Sequence, residues 1–384
     1  MHHSYSRHSL FLPSSRHPYL THLILNAGGA AWVGLDFFKA TIMMLTSFLR
    51  ALTYPSFKIQ RSGDLSQDGI GWVWSINVGG SWMLTQALLP MLRRSPYSTP
   101  SRIIWTSSIE ALRKYFDLQD MQCLRTDIPS TAYESTKFQC ELAALALQEQ
   151  LQEEEKMESD DAGLVATSKQ PSIFLTHPGV IATSIMADYL NCFTSAAMLC
   201  AFYIARWLAS PHHCVAPYKG AIATCHASLS PAPGRSDGRT DLKDSQEEQP
   251  FTRYASRCDI WGREYVNVGS IDTWDSQTDG AGQLVIAESS FDEVDRTRWS
   301  NIRGLAHQWR HRTEDICKKV RRESDIGRLP PARPLQQPLT QGGHLGLDWD
   351  ESENENEDKE ESDLDFEHEE GESGDEWQTV EKTI

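Results

Sequence analysis

Three short apolar runs, each closing on small or polar residues, constrain this chain more than any other feature. They are "HLILNAGG" (22–29), "SRIIWTSS" (101–108) and "SIFLTHPG" (172–179). Each is too short for a core helix, is apolar at consecutive positions and stops at Gly, Ser or Pro-Gly. That is the pattern of strands buried on both faces of a parallel sheet. Two longer segments separate them. "DGIGWVWSINVGGSWMLTQALLPMLRR" (68–94) places apolar residues at helical spacing, and residues 130–151 end in "CELAALALQEQL", rich in strong helix formers. Strands alternating with long helices indicate parallel α/β units. Such sheets take ligands beyond the carboxyl ends of their strands, so "NAGG", "TSS" and "HPG" can share one crevice.

The rest of the chain is read around this frame. Residues 1–20 are His-, Ser- and Arg-rich without period and carry no apolar core of signal-peptide length; they are expected to be disordered. Residues 21–328 form the α/β domain, with solvated loops at 152–171 and 228–250. One further helix is expected near "SNIRGLAHQWRHRTEDICKKVRRE" (300–323). The apolar segment 192–209 reaches the length of a spanning helix but contains Arg206. It can be a core helix, a membrane-surface helix or a span. From 329 onward the chain is Pro- and Gln-rich, then acidic, with too little apolar surface to fold, and is read as a disordered acidic tail. The net charge of −17 resides there: 18 acids and 2 bases lie from Asp348 onward, leaving 35 acids and 34 bases in the other 347 residues. The near-neutral body gives no reason to expect a nucleic-acid partner. Eight cysteines without C-x-x-C pairs exclude a zinc ribbon and a small disulfide scaffold, and no metal site is expected.

Within the second helix, "TAYESTKFQ" (131–139) sets Tyr133 four residues before Lys137, on one helix face. A cation beside a phenol favours the phenolate, which makes Tyr133 a candidate proton donor. Ser108 can be a hydrogen-bond donor at a strand end or simply a turn cap. Asn77 can be functional or can tie backbone between elements. Pro178-Gly179 can serve a site or only end a strand, and Thr183 can equally cap a helix at "SIMADYL".

Read in order, "NAGG", "NVGG", "TSS", "YESTK" and "HPGVIAT" resemble the short-chain dehydrogenase/reductase family. Its NAG, Asn, Ser, Y-x-x-x-K and P-G-x-x-x-T motifs match Asn26-Ala27-Gly28, Asn77, Ser108, Tyr133 with Lys137, and Pro178-Gly179 with Thr183. The stretches "FKIQRSGDLS", "RIIWTSSIEALRKYFDLQDMQCLRTD", "FYIARWLASP" and "APYKGA" narrow the resemblance to the fungal, sterol-ketone-reducing branch, over about residues 22–270. The resemblance implies NADPH-dependent reduction of the C-3 ketone of a sterol intermediate in ergosterol biosynthesis. Tyr133 would protonate the oxygen, Ser108 would hydrogen-bond it, and Lys137 would bind the nicotinamide ribose and favour ionised tyrosine. Asn77 would hold a water of the proton relay. Asn26, Ala27 and Gly28 would line the cofactor crevice, and Ile181 and Thr183 would meet its nicotinamide end. It further implies peripheral attachment to the endoplasmic reticulum membrane or lipid droplets through segment 192–209, with other sterol-biosynthesis enzymes as possible partners.

The chain departs from that family at its start. The strand–T-G-x-x-x-G-x-G–helix that cradles cofactor phosphates does not precede "NAGG", where the sequence has no glycine. The expectation is therefore an N-terminally shortened, partial Rossmann-type doubly wound sheet lacking its first strands. Strand 22–26 would then form an open edge, and NADPH would bind weakly or not at all. The alternative expectation is a non-catalytic member of the fold that binds partners of the sterol pathway.

Overall fold

The three strands read from the sequence become neighbours in one sheet. The structure is a computed structural model, and it describes residues 17–162, 169–183, 190–230, 251–270 and 293–325. All of these fall in the unit Met1–Leu335; the acidic tail and the segment before residue 17 lie outside the described residues. β1 (His22–Leu25) leads into an insert of β2 (Trp32–Leu35), α1 (Phe37–Thr46), α2 (Phe48–Thr53) and β3 (Lys58–Gln60). Helix α3 (72–93), β4 (Arg102–Thr106), α4 (Ala132–Ala162) and β5 (Ser172–His177) follow. Then come β6 (Val180–Ile181), α5 (Cys192–Trp207), β7 (His213–Val215), α6 (Pro217–Gly220) and α7 (Ile222–Leu229). The last elements are β8 (Thr252–Cys258), β9 (Glu264–Ser270) and α8 (Glu293–Asp325).

The main sheet has the order β1-β4-β5-β8-β9. Its first four strands are parallel and β9 runs antiparallel to β8. The register pairs Leu25 with Trp105 and Thr106 with Thr176, so β1, β4 and β5 end together. β1 is an edge strand, as expected. Helices α3 and α4 cover one face and α7 the other, which is the doubly wound arrangement.

Several expectations need correction. Order begins before residue 21: the Leu20 N–H donates to the Met91 carbonyl at 3.1 Å, and Leu20 packs on the main core. The loop expected at 152–171 is helical as far as Ala162. Its Gln, Glu and Lys residues favour helix, and α8 supplies the partners for their charge. Arg303 pairs with Glu149 at 2.6 Å and Arg310 with Glu153 at 3.1 Å, while Arg93 of α3 pairs with Glu154. The core explains why α8 docks there. Gln139 Oε1 is buried and accepts from the indole N–H groups of both Trp74 (2.9 Å) and Trp309 (3.0 Å). The Trp309 ring meets Trp82 edge-on at 5.2 Å.

The hairpin β8–β9 was not anticipated. Its turn is built by Asp259, whose Oδ1 accepts from Trp261 N–H (2.9 Å) and Arg263 N–H (2.8 Å). Gly262 takes the left-handed φ of +80° that the turn requires. Segment 192–209 is α5, with Ala201, Phe202 and Ala205 buried and its other side exposed. No described helix is long and apolar enough to cross a membrane.

Candidate active site

The site is assembled from the carboxyl end of the sheet and the start of α4. Asn26, Ala27 and Gly28 leave β1 as an exposed stretch. Asn77 faces them from α3, where residues Ser75–Gly79 form a π-helical turn. That wide turn leaves the Asn77 carbonyl to accept the Cys140 thiol of α4 at 3.5 Å, consistent with the habit of such turns to mark functional positions. The buried Asn77 carboxamide is fully engaged. Its Oδ1 accepts the Gly29 N–H at 2.7 Å, and its Nδ2 donates to the Gly29 carbonyl and to Thr136 Oγ1, each at 2.9 Å. Asn77 thus locks the "NAGG" turn to the helix that carries Tyr133.

Lys137 reaches the same point. Its Nζ donates to the Thr106 carbonyl at 3.1 Å, at the end of β4. A Cβ placed on Gly28 would lie 3.3 Å from that Nζ and 2.8 Å from Asn77 Oδ1. Residue 28 must therefore be glycine for Asn77 and Lys137 to converge there. The Lys137 Nζ is 6.0 Å from the Tyr133 ring centroid. Tyr133 is half-buried, and its hydrogen bonds among the described residues are made by its backbone N–H and carbonyl. The phenol is thus available to a ligand.

Ser108 lies two residues beyond Thr106. Its Oγ accepts the Glu110 N–H at 3.2 Å, and its carbonyl accepts from Ala111 N–H and from the buried Arg253 of β8. Arg253 is paired with Glu141 of α4 at 2.8 Å, and Ser107 Oγ donates to the same carboxylate at 2.7 Å. This buried network fixes the Ser108 loop to α4. Its Oγ is partly occupied in the way a turn cap would be, and no hydrogen bond joins Ser108 to Tyr133 among the described residues. Behind the loop, His177 Nδ1 accepts the Gly179 N–H at 3.1 Å. Burial, with Arg253 and Arg257 nearby, holds the His177 imidazole neutral, well below its ordinary range.

Ile181 and Thr183 stand farther round the crevice. Ile181 sits in β6, paired with Val215 of β7, and Thr183 is exposed. Val180 packs on Ile109 and Leu112, which brings the Pro178-Gly179 turn beside the Ser108 loop. Gly179 has φ +72°, and a Cβ there would meet the His212 carbonyl at 2.7 Å. Among the described residues no hydrogen bond joins Ile181 or Thr183 to Tyr133 or Lys137. Of the helix that Thr183 was expected to cap, "SIMADYL" (184–190), residues 184–189 lie outside the described residues.

Sequence reasoning missed a second set of residues on Tyr133. Lys58 and Gln60 of β3 point the same way, as alternate strand residues do. Gln60 Oε1 accepts the Tyr133 backbone N–H at 2.9 Å, one of the orphan donors of the α4 start. Gln60 Nε2 donates to Glu134 at 2.6 Å. The Lys58 ammonium pairs with Glu110 at 2.6 Å and with Glu134 at 3.4 Å. It also stands 5.2 Å from the Tyr133 ring centroid and 5.0 Å from that of Trp32. Burial pushes the Glu110 carboxyl up to about 7, against the pull of Lys58. No local motif announces this set.

A parallel sheet whose strand ends carry Asn-Ala-Gly, Ser and Pro-Gly, crossed by a helix bearing a Tyr–Lys pair and locked by a buried Asn, is a doubly wound α/β domain with a polar crevice at its strand ends. Within that class the chain is similar to fungal 3-keto-steroid reductases. The one from Kluyveromyces lactis is 32% identical over 260 residues, 68% of this chain and 65% of that protein. The one from Eremothecium gossypii is 34% identical over 257 residues, 67% of this chain and 64% of that protein. The one from Aspergillus fumigatus is 32% identical over 307 residues, 73% and 64% respectively. The chain thus spans a little under two thirds of the length of these relatives. No family model matches it. The solved salutaridine reductase of Papaver somniferum aligns with 46% of this chain and 65% of its own at 18% identity and TM-score 0.28, a likeness too low to bear on the site.

Proposed function

We propose that this chain carries the reducing site of a 3-ketosterol reductase, converting the C-3 ketone of a sterol to the 3β-alcohol. The observation that carries the reading is the convergence of Asn77 and Lys137 on Gly28, with the Lys137 ammonium 6.0 Å from the Tyr133 ring centroid. The glycine cradle and the Lys137 ammonium suit the nicotinamide-ribose end of NADPH, which Asn26, Ala27, Gly28, Tyr133 and Lys137 would hold, with Ile181 and Thr183 at its margin. When bound, that cofactor supplies the hydride. Tyr133 gives its hydroxyl proton to the ketone oxygen as negative charge builds there. Lys137, tied to the Thr106 carbonyl, supplies positive charge beside the phenol. Asn77 holds the helix and the "NAGG" turn at the spacing this demands, and Ser108, whose Oγ accepts the Glu110 N–H, donates its hydroxyl hydrogen to the same ketone oxygen.

The test is NADPH-dependent alcohol formation from a 3-ketosterol by the purified chain. Tyr133→Phe is expected to lower turnover by ~10²–10⁴-fold with an unchanged melting temperature. Turnover that survives this substitution refutes the assignment.

The same reading includes a peripheral membrane seat on the endoplasmic reticulum or a lipid droplet, where such substrates dissolve. Helices α1, α2 and α5 pack together through Met44, Phe48, Leu52, Met198 and Phe202. They leave Phe38 (79% exposed), Leu45 (83%), Phe193 (82%) and Trp207 (65%) on the outside, the apolar face a lipid surface accepts. Failure of the intact chain to co-sediment with phospholipid vesicles rejects that seat.

A further inference from the structure

Lys58 is placed where packing alone has no need of a charge. Its side chain is 5% exposed, and burying an ammonium is costly unless geometry and partners restore what water supplied. An apolar side chain would hold the insert to the domain as well. Instead the ammonium lies between two elements that carry proposed chemistry. On one side is Glu110, whose own N–H donates to Ser108 Oγ. On the other is Glu134, the residue after Tyr133. Gln60, two residues along the same strand, caps the Tyr133 turn and binds Glu134 as well. The aromatic wall is closed by Trp32, 5.4 Å from the Tyr133 ring.

We propose that Lys58 is a positioning residue: it staples the Ser108 loop to the first turn of α4 and so sets where the Tyr133 hydroxyl stands relative to Ser108. The inference rests on the reductase reading for its catalytic consequence, but the staple itself is a property of the fold. It also makes the site sensitive to pH. The groups facing Lys58 are Glu110 from the β4 loop, Glu134 and Tyr133 from α4, and Tyr115, on which Arg50 of α2 also acts. One ammonium therefore meets two carboxylates. Burial opposes the charge on Lys58 while Glu110 and Glu134 sustain it, so it stays protonated. Glu110 is the carboxyl pushed up to about 7. Above that pH the Ser108 arm is an ion pair; below it Glu110 is neutral and that arm weakens to a hydrogen bond from the ammonium to an uncharged carboxyl group.

The experiment uses the full chain with ¹³Cζ-labelled tyrosine, the Tyr133 resonance being identified by its loss in Tyr133→Phe. In wild type this resonance is expected to shift with an inflection near pH 7, absent in Glu110→Gln. Lys58→Met displaces the resonance and removes the inflection, and Lys58→Arg restores both. The double variant Lys58→Met/Glu110→Gln keeps the test usable if two unpaired carboxylates prevent Lys58→Met from folding; it too must displace the resonance. With a 3-ketosterol and NADPH, Lys58→Met is expected to lower kcat by roughly 10²-fold with KM within about 3-fold, and Lys58→Arg to recover most of the loss. A resonance position unchanged in both Met variants, with the pH response kept in Lys58→Met, overturns the staple. A wild type that shows the response but no turnover retains the staple and overturns the reductase reading instead.

Discussion

Gly28→Ala probes the convergence directly. The new Cβ would lie 2.8 Å from Asn77 Oδ1 and 3.3 Å from Lys137 Nζ. Carbon and oxygen atoms in contact stand at about 3.3 Å or more, so the carboxamide must give by roughly 0.5 Å. It is not free to do so. Asn77 is buried and its three hydrogen bonds reach Gly29 N–H, the Gly29 carbonyl and Thr136 Oγ1. Rotating away from the methyl group breaks the two bonds to Gly29, at ~1 kcal/mol each plus part of a desolvation penalty, or about 2–3 kcal/mol in all. For a domain of this size that corresponds to a melting temperature lower by roughly 4–12 °C. Gly34→Ala is the matched control, since a Cβ there meets nothing within 4 Å. Differential scanning calorimetry of the two variants beside wild type gives the comparison. Equal melting temperatures for Gly28→Ala and Gly34→Ala would refute the claim that Asn77 and Lys137 close on residue 28.

Other consequences are open to direct measurement. Trp309→Ala removes the ring that packs on Trp82 and donates to Gln139; urea unfolding is expected to show a loss of ~3–5 kcal/mol, and a loss below about 1 kcal/mol would mean that α8 is not part of the core. His213 is buried with Nδ1 at 2.8 Å from Ser210 Oγ, and burial holds its imidazole down to about 4. The unfolded chain binds that proton near pH 6.5, so stability is present above 6.5 and falls as pH drops toward 4, by up to ~3 kcal/mol. His213→Gln should flatten this acid limb. Glu110 acts with opposite sign: its raised carboxyl keeps a proton in the folded state between the ordinary carboxylate range and about 7, so its contribution is lost as pH rises through that window, and Glu110→Gln should remove the decline.

Which features the sequence disclosed follows from how far apart the interacting residues lie. β1, β4 and β5 are buried between helices, so their apolar runs needed no partner to be recognised. Tyr133, Lys137, Asn77 and Ser108 were singled out by residue type and order, and the structure ties Asn77 and Lys137 to one turn. Ser108 is joined to that assembly through its loop rather than by its own hydroxyl. Ile181 and Thr183 came from family pattern, which carries no distance. The end of α4 was misread because glutamates such as Glu153 look solvated until Arg310 arrives 157 positions later. β8 was passed over because Arg253 and Arg257 interrupt its apolar pattern; Arg253 is buried there only because Glu141 receives it. Lys58, Gln60 and Glu134 escaped notice for the same reason: each is ordinary alone, and only folding brings them to Tyr133.

The wide turn at Ser75–Gly79 has a consequence for how this region can vary. Each residue of an α-helix advances the bearing of the next by about 100°, so one surplus residue is a phase offset between two stretches of a continuous rod. Upstream of the offset Trp74 points at Gln139; downstream Trp82 points at Trp309. Losing a single residue between the two indoles would turn one of them away from the interior while leaving composition almost untouched. The count between the two tryptophans is thus constrained as Asn77 itself is.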